Sequence, residues 1–364
     1  MKAIIFNSHG DSGVLEYADV PTPRPAPGEA LVAVHAVSVN HGPDIETRRR
    51  GFSMGQVPMP HIGGIDPAGV IAELGPGVDT FSIGDRVAVY PVIACGECDF
   101  CHAGAGENYC RDSRLFGVQT RGGRAEYVPV PVTQLVHLPD QVSFETAAAL
   151  GVAYTTTWHG LVERAAITAD DTVLVTGAGG DCGVAAIQIA RNFGARVIAL
   201  TGQEWKREHL AALGADLVLN YKDPDWGAAV KEATGGTGVS VAFDNAGSAT
   251  LPTTLESLAR AGRLVCSGGT SGFEVTINIR SLYRNHASLL FYVQGAKADM
   301  ERLVELAAAD ALRPVIGREF RLSDAALADD HLDSRAHLGR VVLRIDSASD
   351  PDAKRPMSAS VASR

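Results

Sequence analysis

The chain has 364 residues, 46% of them hydrophobic and 20% charged, with a net charge of -10. Such a length is enough to bury two domain cores, and the balance is that of a soluble globular chain rather than a membrane-spanning or low-complexity one. The acidic sum argues against nucleic acid or an anionic membrane surface as the main partner and leaves a small molecule.

In chain order, the opening "MKAIIFNSHGDSG" reaches polar residues after four apolar positions, too few for a secretory apolar segment, and the expected location is the cytoplasm. The next signal is "YPVIACGECDFCHAGAGENYC", residues 90–110, which holds four of the six cysteines: Cys95, Cys98, Cys101 and Cys110. In a reducing compartment disulfides are disfavoured, and two C-x-x-C turns sharing Cys98 place thiolates around one ion. Zinc suits four thiolates, at about 2.3 Å each, and a closed shell leaves no position for substrate, so the expectation is one structural zinc ion per chain. Gly96, Gly104 and Gly106 supply backbone freedom for wrapping the lobe.

Residues 171–200, "DTVLVTGAGGDCGVAAIQIARNFGARVIAL", read as strand, glycine turn, helix, strand. Thr172–Thr176 is a largely apolar run suited to a buried parallel strand, and Val184, Ile187 and Ala190–Phe193 form a helical stripe. Gly177, Gly180 and Gly183, three apart, let the backbone approach a pyrophosphate at the positive end of the helix. Further short apolar runs at Leu217–Leu219, Val239–Phe243, Arg263–Cys266 and Leu289–Val293 complete the pattern of a parallel sheet. At the end of the second strand, where an acid would take the ribose 2′-hydroxyl of NAD, the chain has Thr201, Gly202 and Gln203, then Lys206 and Arg207. That pattern favours NADPH over NADH, with Glu204 the one residue pulling the other way. Asp181 sits within the glycine turn, where a carboxylate repels a pyrophosphate unless it serves the following helix as a cap.

The four-cysteine lobe and "VLVTGAGGDCGVAAIQIA", with "GGIDPAGVIAELGPGVDTFSIGDRVAV" upstream and "VAFDNAGSATLPTTLESLARAGRLVCSGG" downstream, together resemble the medium-chain dehydrogenase/reductase superfamily. The likeness is greatest to its zinc-binding dehydrogenases with quinone oxidoreductase-like features. It implies an α/β chain: a Rossmann doubly wound parallel sheet over residues 151–295, inside a GroES-like β catalytic domain made of residues 1–150, with the zinc lobe at 90–111, and the return segment 296–346. Residues 347–364 are polar and read as a disordered tail. The resemblance also implies a cofactor site of Gly177, Gly180, Asp181, Cys182, Gly183, Thr201, Lys206, Arg207, Tyr221, Asn245, Gly268 and Gly269. Two Rossmann sheets often join edge to edge in this superfamily, so "ASLLFYVQG", residues 287–295, is expected to form the interface of a homodimer.

The departures from the family pattern carry the functional expectation. Zinc alcohol dehydrogenases of the superfamily hold a catalytic zinc through Cys, His and Cys at positions that here read Asn40, Ile65 and Val152. Without that Lewis acid, ordinary alcohol oxidation loses its chemical basis, and the quinone and enoyl reductases, which work without it on NADPH, become the expected lineage. Asn40 and Asp44 match that lineage's N-x-x-D with one extra residue. The expected enzyme transfers hydride from NADPH to an activated C=C bond or a quinone. Asn40, His41, Asp44 and Thr156 are its candidate catalytic residues, with His41 or water as proton donor. Two alternatives stand beside it: a dehydrogenase using His41, Asp44, His61 or Asp66 as unorthodox zinc ligands, and a catalytically silent nucleotide-binding protein. Loops around 41–61, 115–123 and 280–296 are expected to shape the substrate pocket, with Phe52, Met54, Leu115 and Phe116 giving part of it an apolar lining.

Overall fold

The computed structural model describes residues 1–51 and 57–345. Phe52, Met54 and the tail 347–364 lie outside the described residues. Contacts divide the chain into two compact units, Met1–Val152 with Ala296–Arg364, and Ala153–Gly295.

The first unit begins with a two-stranded pair, β1 (Lys2–Ile5) and β2 (Glu16–Asp19). Its centre is β3 (Glu29–Val39), whose sequence "EALVAVHAVSV" is β-branched at nearly every second position and mostly buried. β3 runs antiparallel to β4 (Pro67–Leu74), which continues to β5 (Arg86–Val89). The short strands β6 (Val92–Ile93) and β7 (Arg114–Leu115) pair across the base of the cysteine lobe. β8 (Tyr127–Pro131) pairs with β3, and β9 (Leu135–His137) with β5. β3 and β4 approach so closely at Gly69 that a Cβ there would lie 1.9 Å from the Ala33 carbonyl oxygen, which admits only glycine.

The second unit is a six-stranded, fully parallel sheet: β10 (Thr172–Val175), β11 (Arg196–Thr201), β12 (Leu217–Asn220), β13 (Val239–Phe243), β14 (Leu258–Cys266) and β15 (Ser288–Phe291). Their order, β12-β11-β10-β13-β14-β15, reverses direction next to β10, the doubly wound arrangement. The helix Asp181–Asn192 buries Val184, Ile187 and Ala190, the face read from its periodicity. Two strand readings shift at their ends. β14 starts five residues before Arg263, and β15 stops at Phe291, because Tyr292 turns inward while Val293 is left 73% exposed.

The chain then returns to the first unit with β16 (Ile316–Arg321) and β17 (Arg340–Arg344), which are parallel to one another. β17 pairs antiparallel with β3, setting Val342 opposite Ser38 and completing the sheet β16-β17-β3-β4-β5-β9. Leu115 and Phe116, expected near a substrate pocket, are instead 5% and 1% exposed, and Phe116 belongs to the aliphatic core of this unit. Among the described residues no helix is long and apolar enough to cross a membrane.

Candidate functional site

The cysteine lobe gathers its four sulphurs within 4.8 Å of one another. Cys98 has extended backbone just before the short helix Asp99–His102, which turns Cys101 back towards it. The Sγ–Sγ separations are 3.5 Å for Cys98–Cys101, 3.9 Å for Cys95–Cys101 and 4.0 Å for Cys98–Cys110. A tetrahedron with arms of about 2.3 Å has edges of about 3.8 Å, so the donor set matches zinc in number, chemistry and spacing. Backbone N–H groups of Arg111 and Cys101 bring the Cys98 thiol down to about 6, favouring the thiolate that a metal requires. Burial beside the other sulphurs pushes Cys101 up to about 12, a penalty that a divalent cation relieves. Among the described residues this is the only cluster of three or more His, Cys, Asp or Glu side chains placed to hold a metal ion.

In the second unit, the turn after β10 is built for close approach. Gly177 takes φ +59°, and a Cβ on Gly183 would lie 2.3 Å from the Gly177 carbonyl oxygen. Gly180 is the extended residue before helix Asp181–Asn192, leaving the first-turn N–H groups of that helix at the turn. Asp181 is the first helical residue rather than the cap, and its carboxylate accepts the Cys182 N–H at 2.8 Å, where the helix dipole favours an acid. Tyr221, 37% exposed, lies against Gly202 just past β11, close enough that a Cβ there would meet its ring at 2.6 Å. Asn245 Oδ1 accepts the Ser267 N–H at 3.1 Å, bringing the ends of β13 and β14 together beside Gly268 and Gly269. This cradle fits a dinucleotide.

Lys206, expected with Arg207 to favour NADPH, is largely buried. It is 5% exposed, packs against Gly179 and donates from Nζ to the Gly179 carbonyl at 3.4 Å, with the Trp205 ring 5.2 Å away. Burial lowers its ammonium to about 8. Arg207 stays at the surface, 3.5 Å from Glu204. The Thr201 hydroxyl accepts the Gln203 N–H at 3.3 Å.

The first unit holds a buried polar centre around Asp66. Its Oδ2 accepts Ser38 Oγ at 2.8 Å, Asn40 Nδ2 at 2.9 Å and Arg340 Nη2 at 3.0 Å, while Oδ1 accepts the Val152 N–H at 3.0 Å. Gly151 has no side chain because a Cβ there would sit 2.2 Å from the Asp66 carboxyl carbon. The segments that would carry a catalytic zinc, those of Asn40, Ile65 and Val152, therefore do converge, but on a carboxylate paired with an arginine. Burial pushes the Asp66 carboxyl above its ordinary range, opposed by Arg340.

Two of the candidate catalytic residues lie among these groups. Asn40 Nδ2 donates to Asp66 at 2.9 Å and to Asp44 at 3.3 Å, and its Oδ1 accepts Arg340 Nη1 at 3.0 Å. Asp44 accepts the Asn40 N–H and the Gly64 N–H, both at 2.9 Å, and faces Arg124 at 4.0 Å. Arg124 and Arg48 both bind Asp329, at 2.9 and 3.0 Å, in a second buried charge cluster. His61 is buried with Nε2 on the Gly117 carbonyl at 2.9 Å, so His41, Asp44, His61 and Asp66 each serve a different neighbour rather than one ion. His41 remains half-exposed, with Nε2 3.5 Å from Asp333. Thr156 is buried in the helix of the second unit, next to Thr157, whose hydroxyl donates to the Ala153 carbonyl at 2.7 Å.

Sequence reasoning missed Ser38, Arg124, Asp329 and Arg340. The signal was present for Arg340, which with Arg344 brackets the apolar run "VVL" of one strand, since a buried strand tolerates arginine only beside an acid.

Comparison with known proteins agrees with this architecture. The alcohol dehydrogenase GroES-like domain family matches residues 26–140, and the zinc-binding dehydrogenase family matches residues 182–309. The chain is 31% identical to an alcohol dehydrogenase of Geobacillus stearothermophilus, covering 91% of this chain and 96% of that one. It is 28% identical to a quinone oxidoreductase of Sus scrofa, over 94% and 97% of the two chains. To an acryloyl-coenzyme A reductase of Metallosphaera sedula it is 29% identical, over 94% and 99%. The crystal structure of an NAD-dependent alcohol dehydrogenase superimposes with a TM-score of 0.89 at 36% identity, covering 95% of this chain and 100% of that one. By fold, domain matches and full-length relatives, this chain is an oxidoreductase of the medium-chain dehydrogenase/reductase superfamily.

Proposed function

We propose that the chain is an NADPH-dependent reductase acting on an activated C=C bond or a quinone, with no metal at the substrate oxygen and one structural zinc in the cysteine lobe. The observation that carries this reading is the Asp66 centre. Asn40, Ile65 and Val152 offer no ligand where zinc alcohol dehydrogenases place theirs, and the charge gathered there is an acid neutralised by Arg340. An acceptor reduced without Lewis-acid help must already be electrophilic, which enones, enoyl thioesters and quinones are and simple carbonyls are not. The quinone oxidoreductase and acryloyl-coenzyme A reductase among the relatives support the same class.

The bound nicotinamide supplies the hydride. The chain's own part is to seat the pyrophosphate on the backbone at Gly177–Gly183 and to meet a 2′-phosphate with Lys206 and Arg207. The proton that completes reduction comes from His41, half-exposed and held beside Asp333. β15 forms one edge of the six-stranded sheet, and Phe291 and Val293 on and after it are 58% and 73% exposed. Pairing of two such edges in a homodimer covers them.

The reading is tested by following nicotinamide absorbance with NADPH against enones, enoyl thioesters, quinones and simple aldehydes, and with NADP⁺ against simple alcohols. Turnover confined to the electrophilic acceptors is expected. Zinc-dependent oxidation of an ordinary alcohol overturns it, and nucleotide binding with no turnover points to a silent binding protein. Light scattering tests the assembly, since a monomer mass at micromolar concentration rules out the edge-paired dimer.

A further inference from the structure

We propose that Tyr292 is a positioning residue for the nicotinamide half of the cofactor, acting through Ser267 and Asn245 across the carboxyl ends of the neighbouring strands β13, β14 and β15. The proposal rests on reading the second unit as the dinucleotide site. Asn245 stands two residues past β13, Ser267 one past β14 and Tyr292 one past β15. Asn245 Oδ1 accepts the Ser267 N–H at 3.1 Å and the Ser267 hydroxyl at a longer 3.5 Å. Ser267 in turn is the side chain hydrogen-bonded to the Tyr292 hydroxyl. The Tyr292 N–H donates to the Cys266 carbonyl at 3.2 Å, so backbone and side chain of Tyr292 are both tied to the end of β14.

The hydroxyl is accommodated as closely as the ring. It is buried against the π-helical turn His159–Arg164, where a Cβ on Gly160 would sit 2.1 Å from the phenol oxygen. The His159 and Tyr292 ring centroids are 5.8 Å apart. Burial pushes the phenol above its ordinary range, so it keeps its proton at working pH. Asn245 Oδ1 can only accept, so Ser267 gives its proton there and receives the phenol O–H on its oxygen. A phenylalanine would fill nearly the same volume without desolvating a hydroxyl. What the oxygen adds is direction, fixing where the ends of β14 and β15 stand relative to β13.

Place in the sheet says which half of a dinucleotide this serves. Ligands of a doubly wound sheet lie outside the carboxyl ends of its strands, at the point where strand order reverses. The glycine turn after β10 suits the pyrophosphate, and Thr201, Lys206 and Tyr221 come at the ends of β11 and β12, on one side of β10. The adenosine half belongs there. β13, β14 and β15 lie on the other side, so their linked ends serve the half that carries the nicotinamide. The effect is therefore the same for NADPH and NADH, which differ only at the adenosine ribose.

The test is calorimetric binding to the full chain of NADPH, NADH and their counterparts without nicotinamide, 2′-phospho-ADP-ribose and ADP-ribose. Tyr292→Phe and Ser267→Ala should each weaken the dinucleotides about three- to tenfold, the worth of one hydrogen bond, and leave the matching ADP-riboses within about twofold of wild type. The double variant should be no weaker than either single one, because both cut the same link. Should Tyr292→Phe fail to fold, Ser267→Ala carries the same comparison. Equal weakening of a dinucleotide and its ADP-ribose marks a merely structural role and overturns the proposal, as does unchanged dinucleotide binding or additivity of the two variants. A wild-type chain that binds none of these nucleotides overturns the dinucleotide reading along with it.

Discussion

Asp66 Oδ2 and Arg340 Nη2 lie 3.0 Å apart with both side chains fully buried, although the residues are separated by 274 positions in the chain. The pair locks β17 to the segment that follows the Gly63–Gly64 turn. Arg340→Met leaves the acid without its counter-charge and should cost about 3–5 kcal/mol, whereas Arg340→Met combined with Asp66→Leu should recover much of that loss. Urea unfolding of the two variants measures both values, and equal losses would show that the pair acts through packing alone.

Asn40 bridges the two members of this pair, so Asn40→Ala strips one bond from each. The expected outcome is a fall in unfolding free energy of about 1.5–3 kcal/mol, appropriate to hydrogen bonds with charged partners. A residue holding a reaction oxyanion would instead lower kcat about a hundred- to a thousandfold at unchanged stability. Parallel thermal unfolding and steady-state kinetics separate the two roles.

Purified protein should contain one zinc per chain, bound by Cys95, Cys98, Cys101 and Cys110. Cys98→Ser removes a thiolate favoured by the backbone N–H groups of Arg111 and Cys101 and should abolish metal retention and depress Tm together. Elemental analysis alongside calorimetry checks this. Two zinc ions per chain, or none in protein never exposed to chelator, contradicts the single structural site.

If Lys206 meets a 2′-phosphate as proposed, cofactor preference depends on pH. Its folded-state pKa of about 8 means that the ammonium is present below that value and lost as pH rises through it. The preference for NADPH over NADH should therefore shrink between about pH 7 and about pH 9, and Lys206→Arg should hold it constant across that range. Calorimetric titration with both nucleotides provides the comparison, and a ratio that does not move with pH in the wild type would remove Lys206 from the phosphate site.

Asp333 sets part of the acid sensitivity. Arg49 holds its carboxyl below the usual 3.8, so the pair's stabilisation is present above that pH and is lost as pH falls through the depressed folded value. Asp333→Asn should lower stability at neutral pH and flatten the decline below about pH 4. Chemical unfolding across the acid range tests it, with an unaltered slope in the variant as the contrary result.

Local order was legible from the chain alone. Four cysteines within sixteen residues imply a thiolate cluster because such short loops cannot keep the sulphurs far apart, and the strand, glycine turn and helix at 172–192 follow from periodicities of two and 3.6 and from glycine spacing. The edge position of β15 was expected only through the family resemblance, and the charge pairs were beyond reach, because they depend on contacts between distant segments. The same holds for the candidate site. Sequence placed Asn40, Ile65 and Val152 at the positions of missing ligands, but only the folded chain shows Asp66 filling the gap between them. The burial of Lys206 likewise shows only in the fold, where Gly179 leaves room for its stem. Sequence by itself thus determined which residues can bond to their near neighbours, while the tertiary structure decided which charges are buried, since desolvation and counter-charge are properties of the whole packed fold.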